Sequence, residues 1–199
     1  MNHDEPSTTD ESLMGLFQSG DEDAFRTLFE RYTVPLINFA YRFLSSRSEA
    51  EDVAQEVFLR IYRNKERFDT GRPFRGWIFT IAARLASNHA SKRKTHAETA
   101  LDRNPSAEDA PSLAETLADS AALTPEQEEL RKELAGKVQK ALADLPSPQR
   151  TAVLLSRFEG MSYDEIAGTM GTTVSAIKSL LFRARQTLVK DLAPHYESE

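Results

Sequence analysis

"SYDEIAGTMGTTVSAIKSLLFRARQTLVK", residues 162–190, decides the fold. Ser162 stands three residues before Glu165, the spacing of an N-terminal capping box. Gly171 falls just past the end of the short helix this box would open, and Thr173 is placed to cap a second helix. Two short helices joined by a turn of about three or four residues containing glycine make a helix-turn-helix pattern. In the second helix Ile177, Leu181, Ala184 and Leu188 recur at i, i+4, i+7 and i+11, which predicts an inward stripe. Ser175, Lys178, Ser179, Phe182, Arg183 and Gln186 then face outward.

Residues 172–190 carry four bases and no acid. Lysine and arginine neutralise phosphates, and serine and glutamine reach phosphates or base edges. An exposed Phe182 among these cations suits a thymine methyl or a sugar face. Alone, such a helix would more simply be a solvated basic face. The capped helix and glycine turn before it shift the balance to DNA.

The whole chain, 199 residues long, has a formal net charge of −6, so this helix is a local exception. A second basic zone spans residues 60–94, with ten bases against two acids. Between the zones, residues 95–130 hold nine acids and one base. Binding of a polyanion responds to the local field and not to the total, so this distribution points to nucleic acid. No apolar run approaches the roughly 20 residues of a membrane-spanning helix. The polar, acidic start "MNHDEPSTTDES" does not read as a signal or transit peptide. With no cysteine, the sequence excludes disulfides and thiolate metal sites, which fits a cytoplasmic protein.

The expected fold is all-α: two small helical domains joined by a flexible linker. The first spans 1–94, with 1–9 disordered; 95–123 is an acidic linker with room for a short helix near "SLAETLADSA"; 124–192 holds the helix-turn-helix; 193–199 is a tail. The linker, rich in Ala, Ser, Asp and Glu, has no aromatic residue with which to build a core. In the first domain Gly20 should end a short helix. Pro35 should kink or break the next one. Ser48 with Glu51 gives a capping-box spacing for a helix whose inner face is Val53, Val57 and Ile61, flanked by Ala50 and Ala54. "FRGWIFTIAARLASNHASKRK", residues 74–94, is a further helix with Phe74, Trp77, Ile81 and Leu85 in its stripe. In the second domain Thr124, Pro125 and Gln127 open one helix, and Ser147 and Pro148 open another, closed by Gly160.

The "SKRK" end, Ser91–Lys94, alone reads as a solvated helix terminus. Trp77, Arg84, Asn88 and His89 lead into it, and Phe68 lies in the loop before. Aromatics interleaved with cations can stack unpaired bases, which suggests single-stranded or distorted nucleic acid here. Asp52, Gln55 and Glu56 form an acidic outer face that would repel phosphates. From the residues alone it is a solvated face before it is a protein-docking one. The four histidines are scattered, and no phosphate loop, nucleophile elbow or metal-ligand spacing is present. No catalytic residue, metal or cofactor is expected, and the chain is not read as an enzyme.

Taken together these motifs resemble bacterial RNA polymerase sigma factors. "EAEDVAQEVFLRIYRN" looks like their core-binding helix, residues 74–94 like the helix that opens and reads the −10 element, and residues 145–185 like the −35-reading domain. The layout, with no large middle domain, resembles the extracytoplasmic-function (ECF) class. The resemblance implies that Asp52, Gln55 and Glu56 contact the β′ clamp helices, which would replace the solvated reading. It implies that Phe68 lies in the loop that captures a flipped −10 base. Arg84 and Asn88 would face the non-template strand, with Lys92, Arg93 and Lys94 on phosphates. Lys178, Ser179, Phe182 and Arg183 would dock in the −35 major groove, and the second domain would grip the β flap. A monomer when free, controlled by an anti-sigma factor, is also implied. Two positions depart from the family pattern: Leu180, where many relatives carry arginine, and Asn88, where many carry aspartate. An ordinary helix-turn-helix regulator that binds its operator without polymerase is the main rival, and a helical adaptor or enzyme that binds no DNA the second. The acidic linker would keep the free protein off random DNA or mimic nucleic acid in the polymerase channel.

Overall fold

The computed structural model describes residues 8–99 and 124–193, and no strand occurs among them. The order is α1 (Asp10–Gln18), α2 (Glu22–Leu44), α3 (Arg47–Arg63), a 3₁₀ turn (Lys65–Arg67) and α4 (Phe74–Thr99). Then follow α5 (Pro125–Asp144), α6 (Ser147–Arg157), α7 (Tyr163–Met170) and α8 (Val174–Leu192). The expected disorder of 1–9, most of the linker and its short helix, and the tail from Pro194 onward lie in whole or in large part outside the described residues. α4 itself continues to Thr99, past the expected start of the linker.

The first four helices bury a phenylalanine-rich core of Phe17, Phe39, Phe43, Phe74 and Phe79. Each such ring contributes about 1.5–3 kcal/mol by leaving water. The inner face expected for α3 is buried in full: Ala50, Val53, Ala54, Val57 and Ile61. α4 differs in detail. Its deepest residues are Phe74, Ile78, Phe79, Ala82 and Ala86, while Trp77 and Ile81 sit half-buried at the edge.

Three expected boundaries change. α2 runs through Pro35 unbroken. Proline removes one backbone donor, but Tyr32, Leu36 and Phe39 on either side are buried together, and that packing outweighs one lost bond. The α3 cap is Ser46, whose hydroxyl accepts from the Glu49 N–H at 3.4 Å, and not Ser48. Ser45 ends α2 in the left-handed region, φ 57°, so α3 starts two residues earlier than the Ser48–Glu51 spacing implied. Glu51 instead pairs with Arg47 at 2.6 Å. Ser147 does not cap α6. Pro146 occupies the cap position and Ser147 is already helical, its hydroxyl 2.8 Å from that of Ser87 on α4.

The remaining caps follow the sequence. Thr124 with Gln127, and Ser162 with Glu165, each form both halves of a capping box. Gly171 ends α7 at φ 62°, and Thr173 accepts from the Ala176 N–H at 3.2 Å. Helices α5–α8 pack around Leu142, Leu145, Leu154, Leu155, Ile166, Ile177 and Ala184.

The two helical units are in contact. The Arg150 guanidinium on α6 donates to the Phe43 carbonyl at 2.6 Å and lies over the Phe43 ring. Gln139 on α5 donates to the carbonyls of Tyr41 and Arg42. These are among the last carbonyls of α2; that of Tyr41 also accepts from the Ser45 N–H at 2.8 Å, and those of Arg42 and Phe43 lie beyond the reach of the helix's own donors. The second unit thus caps a helix of the first.

Candidate nucleic-acid and polymerase interfaces

α7 and α8 form a helix-turn-helix whose second helix is held from one side only. Ile177 and Ala184 are fully buried, and Leu181 and Leu188 are half-buried beside them. Lys178, Ser179, Phe182 and Arg183 all point to solvent, as the spacing predicted. Phe182 is 62% exposed and stands among these cations. Leu180, the residue in place of the family's arginine, is half-buried and packs against the core.

On α4, Arg84 and Asn88 are exposed, and Lys92 continues the row at i+8. Arg84 and Asn88 line a cleft of about 370 Å³ whose opposite wall is Ser147, Pro148, Thr151, Thr169 and Met170 of the second unit. Lys94 is exposed. Arg93 is already engaged: it donates to the Leu44 carbonyl at 2.9 Å and pairs with Glu49 at 3.3 Å, bracing α4 against the α2–α3 corner.

Phe68 departs most from expectation. Its ring is 5% exposed and packs on Phe74 at 5.6 Å and Trp77 at 4.9 Å between centroids. It anchors the loop before α4 from within and offers no face to a base. Its carbonyl and that of Lys65 both accept from the Gln18 amide at 2.8 Å, tying this loop to α1.

Asp52 and Gln55 are exposed on α3, with Leu59 one turn on. Glu56 is half-buried and accepts from Arg60 at 2.8 Å. An acidic row beside an exposed leucine suits a protein partner better than a phosphate backbone. Between α6 and α8 an apolar groove of about 580 Å³ opens, lined by Val153, Tyr163, Leu181, Leu188 and Val189 among others.

Sequence reasoning missed the buried charges. Arg42, Arg150 and Glu159 are each more than nine-tenths buried. The Arg42 guanidinium lies 4.3 Å from the centre of the Phe158 ring. Burial pushes the Glu159 carboxyl up, with Arg75 and Arg42 pulling it partly back. Burial pulls both Arg42 and Arg150 down. Their partners lie about a hundred residues away in the chain, so no local spacing announces them. No cluster of three or more potential metal ligands occurs among the described residues. No helix among them is long and apolar enough to cross a membrane.

A helix-turn-helix with an outward cationic helix, beside a second helical unit with its own polar faces, defines a two-unit nucleic-acid-binding protein. Residues 28–96 match the family model "Sigma-70 region 2", and 135–188 match "Sigma-70, region 4". RNA polymerase sigma-H factor of Pseudomonas aeruginosa is 35% identical over 93% of this chain and 94% of its own. ECF RNA polymerase sigma-E factor of Haemophilus influenzae is 34% identical over 94% and 96%. Among solved structures, CnrH in complex with the cytosolic domain of CnrY superposes with a TM-score of 0.67 at 25% identity, covering 93% of this chain and 97% of that one. The sigma factor RpoE in complex with the anti-sigma factor NepR from Bartonella quintana gives 0.63 at 25%, covering 85% and 96%. The chain belongs to the RNA polymerase sigma factors of the ECF class.

Proposed function

We propose that this sigma factor joins RNA polymerase core and selects promoters through two separate DNA-reading faces. The observation that supports it best is the exposed set Lys178, Ser179, Phe182 and Arg183 on a helix capped by Thr173 and packed against α7. The unit up to residue 94 takes the −10 element, the unit of 124–192 takes the −35 element, and 95–123 links them. Arg84 and Asn88 read the non-template strand, while Lys92 and Lys94 hold phosphates. Arg93 can do so only by leaving Glu49. Phe68 supports the base-capturing loop from beneath and does not stack on the base.

Asp52, Gln55 and Glu56 dock on the β′ clamp helices, and the groove between α6 and α8 takes an apolar element of the β flap. Two weak DNA contacts on one polymerase gain strength from effective concentration. Extruding a −10 base costs a few kcal/mol, recovered only when the base fits. The chain does no bond chemistry, and it works in the cytoplasm as a monomer when free. An anti-sigma partner is supported by the superposing sigma factor RpoE, which is held by the anti-sigma factor NepR. Run-off transcription over a genomic template library, with core polymerase plus this chain, tests the reading. Discrete start sites should appear only with both components. None at any template, together with tight duplex binding by the chain alone, would favour an operator-binding regulator.

A further inference from the structure

α1 carries two faces. Leu13, Met14 and Phe17 enter the core. Glu11, Gly15 and Gln18 recur at i, i+4 and i+7, so they share a second stripe, and it lies along the loop between α3 and α4. The Gln18 amide donates to the Lys65 carbonyl and to the Phe68 carbonyl, each at 2.8 Å, which uses both of its N–H groups. At the other end of the stripe the Glu11 carboxylate accepts from the Phe74 N–H at 2.8 Å. Phe74 is the first residue of α4, and Pro73 before it has no side-chain acceptor with which to cap that helix. A carboxylate from α1 therefore does so, and its charge complements the positive end of the α4 dipole. Between the two, a Cβ at Gly15 would meet the Thr70 methyl at 3.7 Å, an ordinary van der Waals contact.

α1 is itself held. Asp10 accepts from the Arg31 guanidinium at 2.7 Å and from the Tyr32 hydroxyl, both on α2. The Lys65 ammonium donates at 2.9 Å to the Phe17 carbonyl, one of the last of α1. The loop tip, residues 69–73, is exposed throughout and buries no side chain of its own. It turns through Asp69, whose carboxylate accepts from the Gly71 N–H and whose carbonyl accepts from the Arg72 N–H. The buried rings of Phe68 and Phe74 seat the two ends of the tip, and the bonds from α1 fix the backbone at those same two ends.

We infer that the Glu11–Gly15–Gln18 stripe is the positioning element of the −10 reader: it sets where the exposed tip stands over the start of α4, and so whether an extruded base meets the loop in register with Arg84 and Asn88. This rests on the −10 reading given above. Glu11 is an acid and would repel a phosphate, so the stripe acts through the loop and not by touching DNA. Small errors in such placement are costly: in positioned reactions a shift of about 1 Å loses about a hundred-fold.

Titrating core polymerase with the full chain on a duplex template separates positioning from folding. The run-off yield at saturation reads promoter opening. The chain concentration at half-saturation reads assembly with core and the folded fraction. Gln18→Glu sets a carboxylate against two carbonyls and should lower the saturated yield about ten-fold or more, with half-saturation within about two-fold of wild type. Gly15→Leu should do the same by pushing Thr70 aside, although leucine suits a helix better than glycine, so a folding effect alone predicts no loss. Glu11→Ala should also lose yield, and Glu11→Gln, whose amide oxygen still accepts from Phe74, should restore most of it. Wild-type yields in both Gln18→Glu and Gly15→Leu, or losses that more chain makes good, would overturn the inference. Arg84→Ala with Asn88→Ala tests the underlying reading separately. If that pair leaves the saturated yield intact, or wild type initiates nowhere, the −10 reading itself fails and takes this inference with it.

Discussion

The Glu165 carboxylate accepts from the Ser162 backbone N–H at 2.8 Å while the Ser162 hydroxyl accepts from the Glu165 N–H at 3.3 Å. This reciprocal pair opens α7 and so aims the helix-turn-helix. The backbone bond holds the Glu165 carboxyl below its ordinary value, with the Ser162 hydroxyl adding to it. A depressed carboxyl stabilises the fold above its unfolded value of 4.5 and loses that contribution as pH falls through the folded value. Glu165→Gln keeps the capping geometry but cannot titrate. Thermal melts from pH 6 to 3 should therefore show a shallower acid loss in Glu165→Gln than in wild type. Parallel curves would remove Glu165 from the account.

The α3 cap separates two serines that the sequence does not distinguish. Ser46→Ala should cost about 1 kcal/mol, the usual loss of a capping hydroxyl. Ser48→Ala should stay within about 0.5 kcal/mol. Urea unfolding of both variants checks the pair, and the reverse ranking would restore the Ser48–Glu51 capping box.

Phe68 is packed and not displayed, so its truncation should act on folding. Phe68→Ala is expected to destabilise the first unit by about 3–5 kcal/mol, the range for a buried ring. A variant of unchanged stability that has lost only promoter melting would place the ring at the base after all.

Leu180 and Phe182 lie two positions apart on α8 and should behave oppositely. Leu180→Arg forces a charge against the core and should destabilise the second unit by about 1–3 kcal/mol without tightening DNA binding. Phe182→Ala should leave stability within about 0.5 kcal/mol but weaken −35 duplex binding by about 1–3 kcal/mol, as for a base-edge contact. Melting temperature and fluorescence anisotropy, measured on both variants, separate the two.

Much of this was legible because it is local. The Thr124, Ser162 and Thr173 caps, the Gly171 turn and the inner face of α3 depend on residues within a turn or two of one another. The outward set on α8 followed from period alone. A break at Pro35 does not occur: the cost of the proline is local, while the packing that keeps α2 continuous is tertiary. Ser147 read as a cap because its actual partner, Ser87, sits 60 residues earlier. Phe68 and Arg93 illustrate the limit for sites. A family pattern names positions, but only the fold shows one ring buried under Trp77 and one guanidinium committed to Leu44 and Glu49. The contacts between the two units had no sequence signal, since Gln139, Arg150 and Glu159 gain meaning only when α2 and α4 lie beside them.

The central claim is that one chain reads two promoter elements, and only when joined to polymerase core. Permanganate reactivity of −10 thymines, measured beside protection of the −35 duplex on a start site found by run-off transcription, tests it most directly. Core plus chain should protect −35 and make −10 thymines reactive, and core plus Arg183→Ala should lose both by ten-fold or more; chain alone should do neither at matched concentration. Strong −35 protection by the chain alone, with −10 thymines unreactive whether or not core is present, would contradict the account.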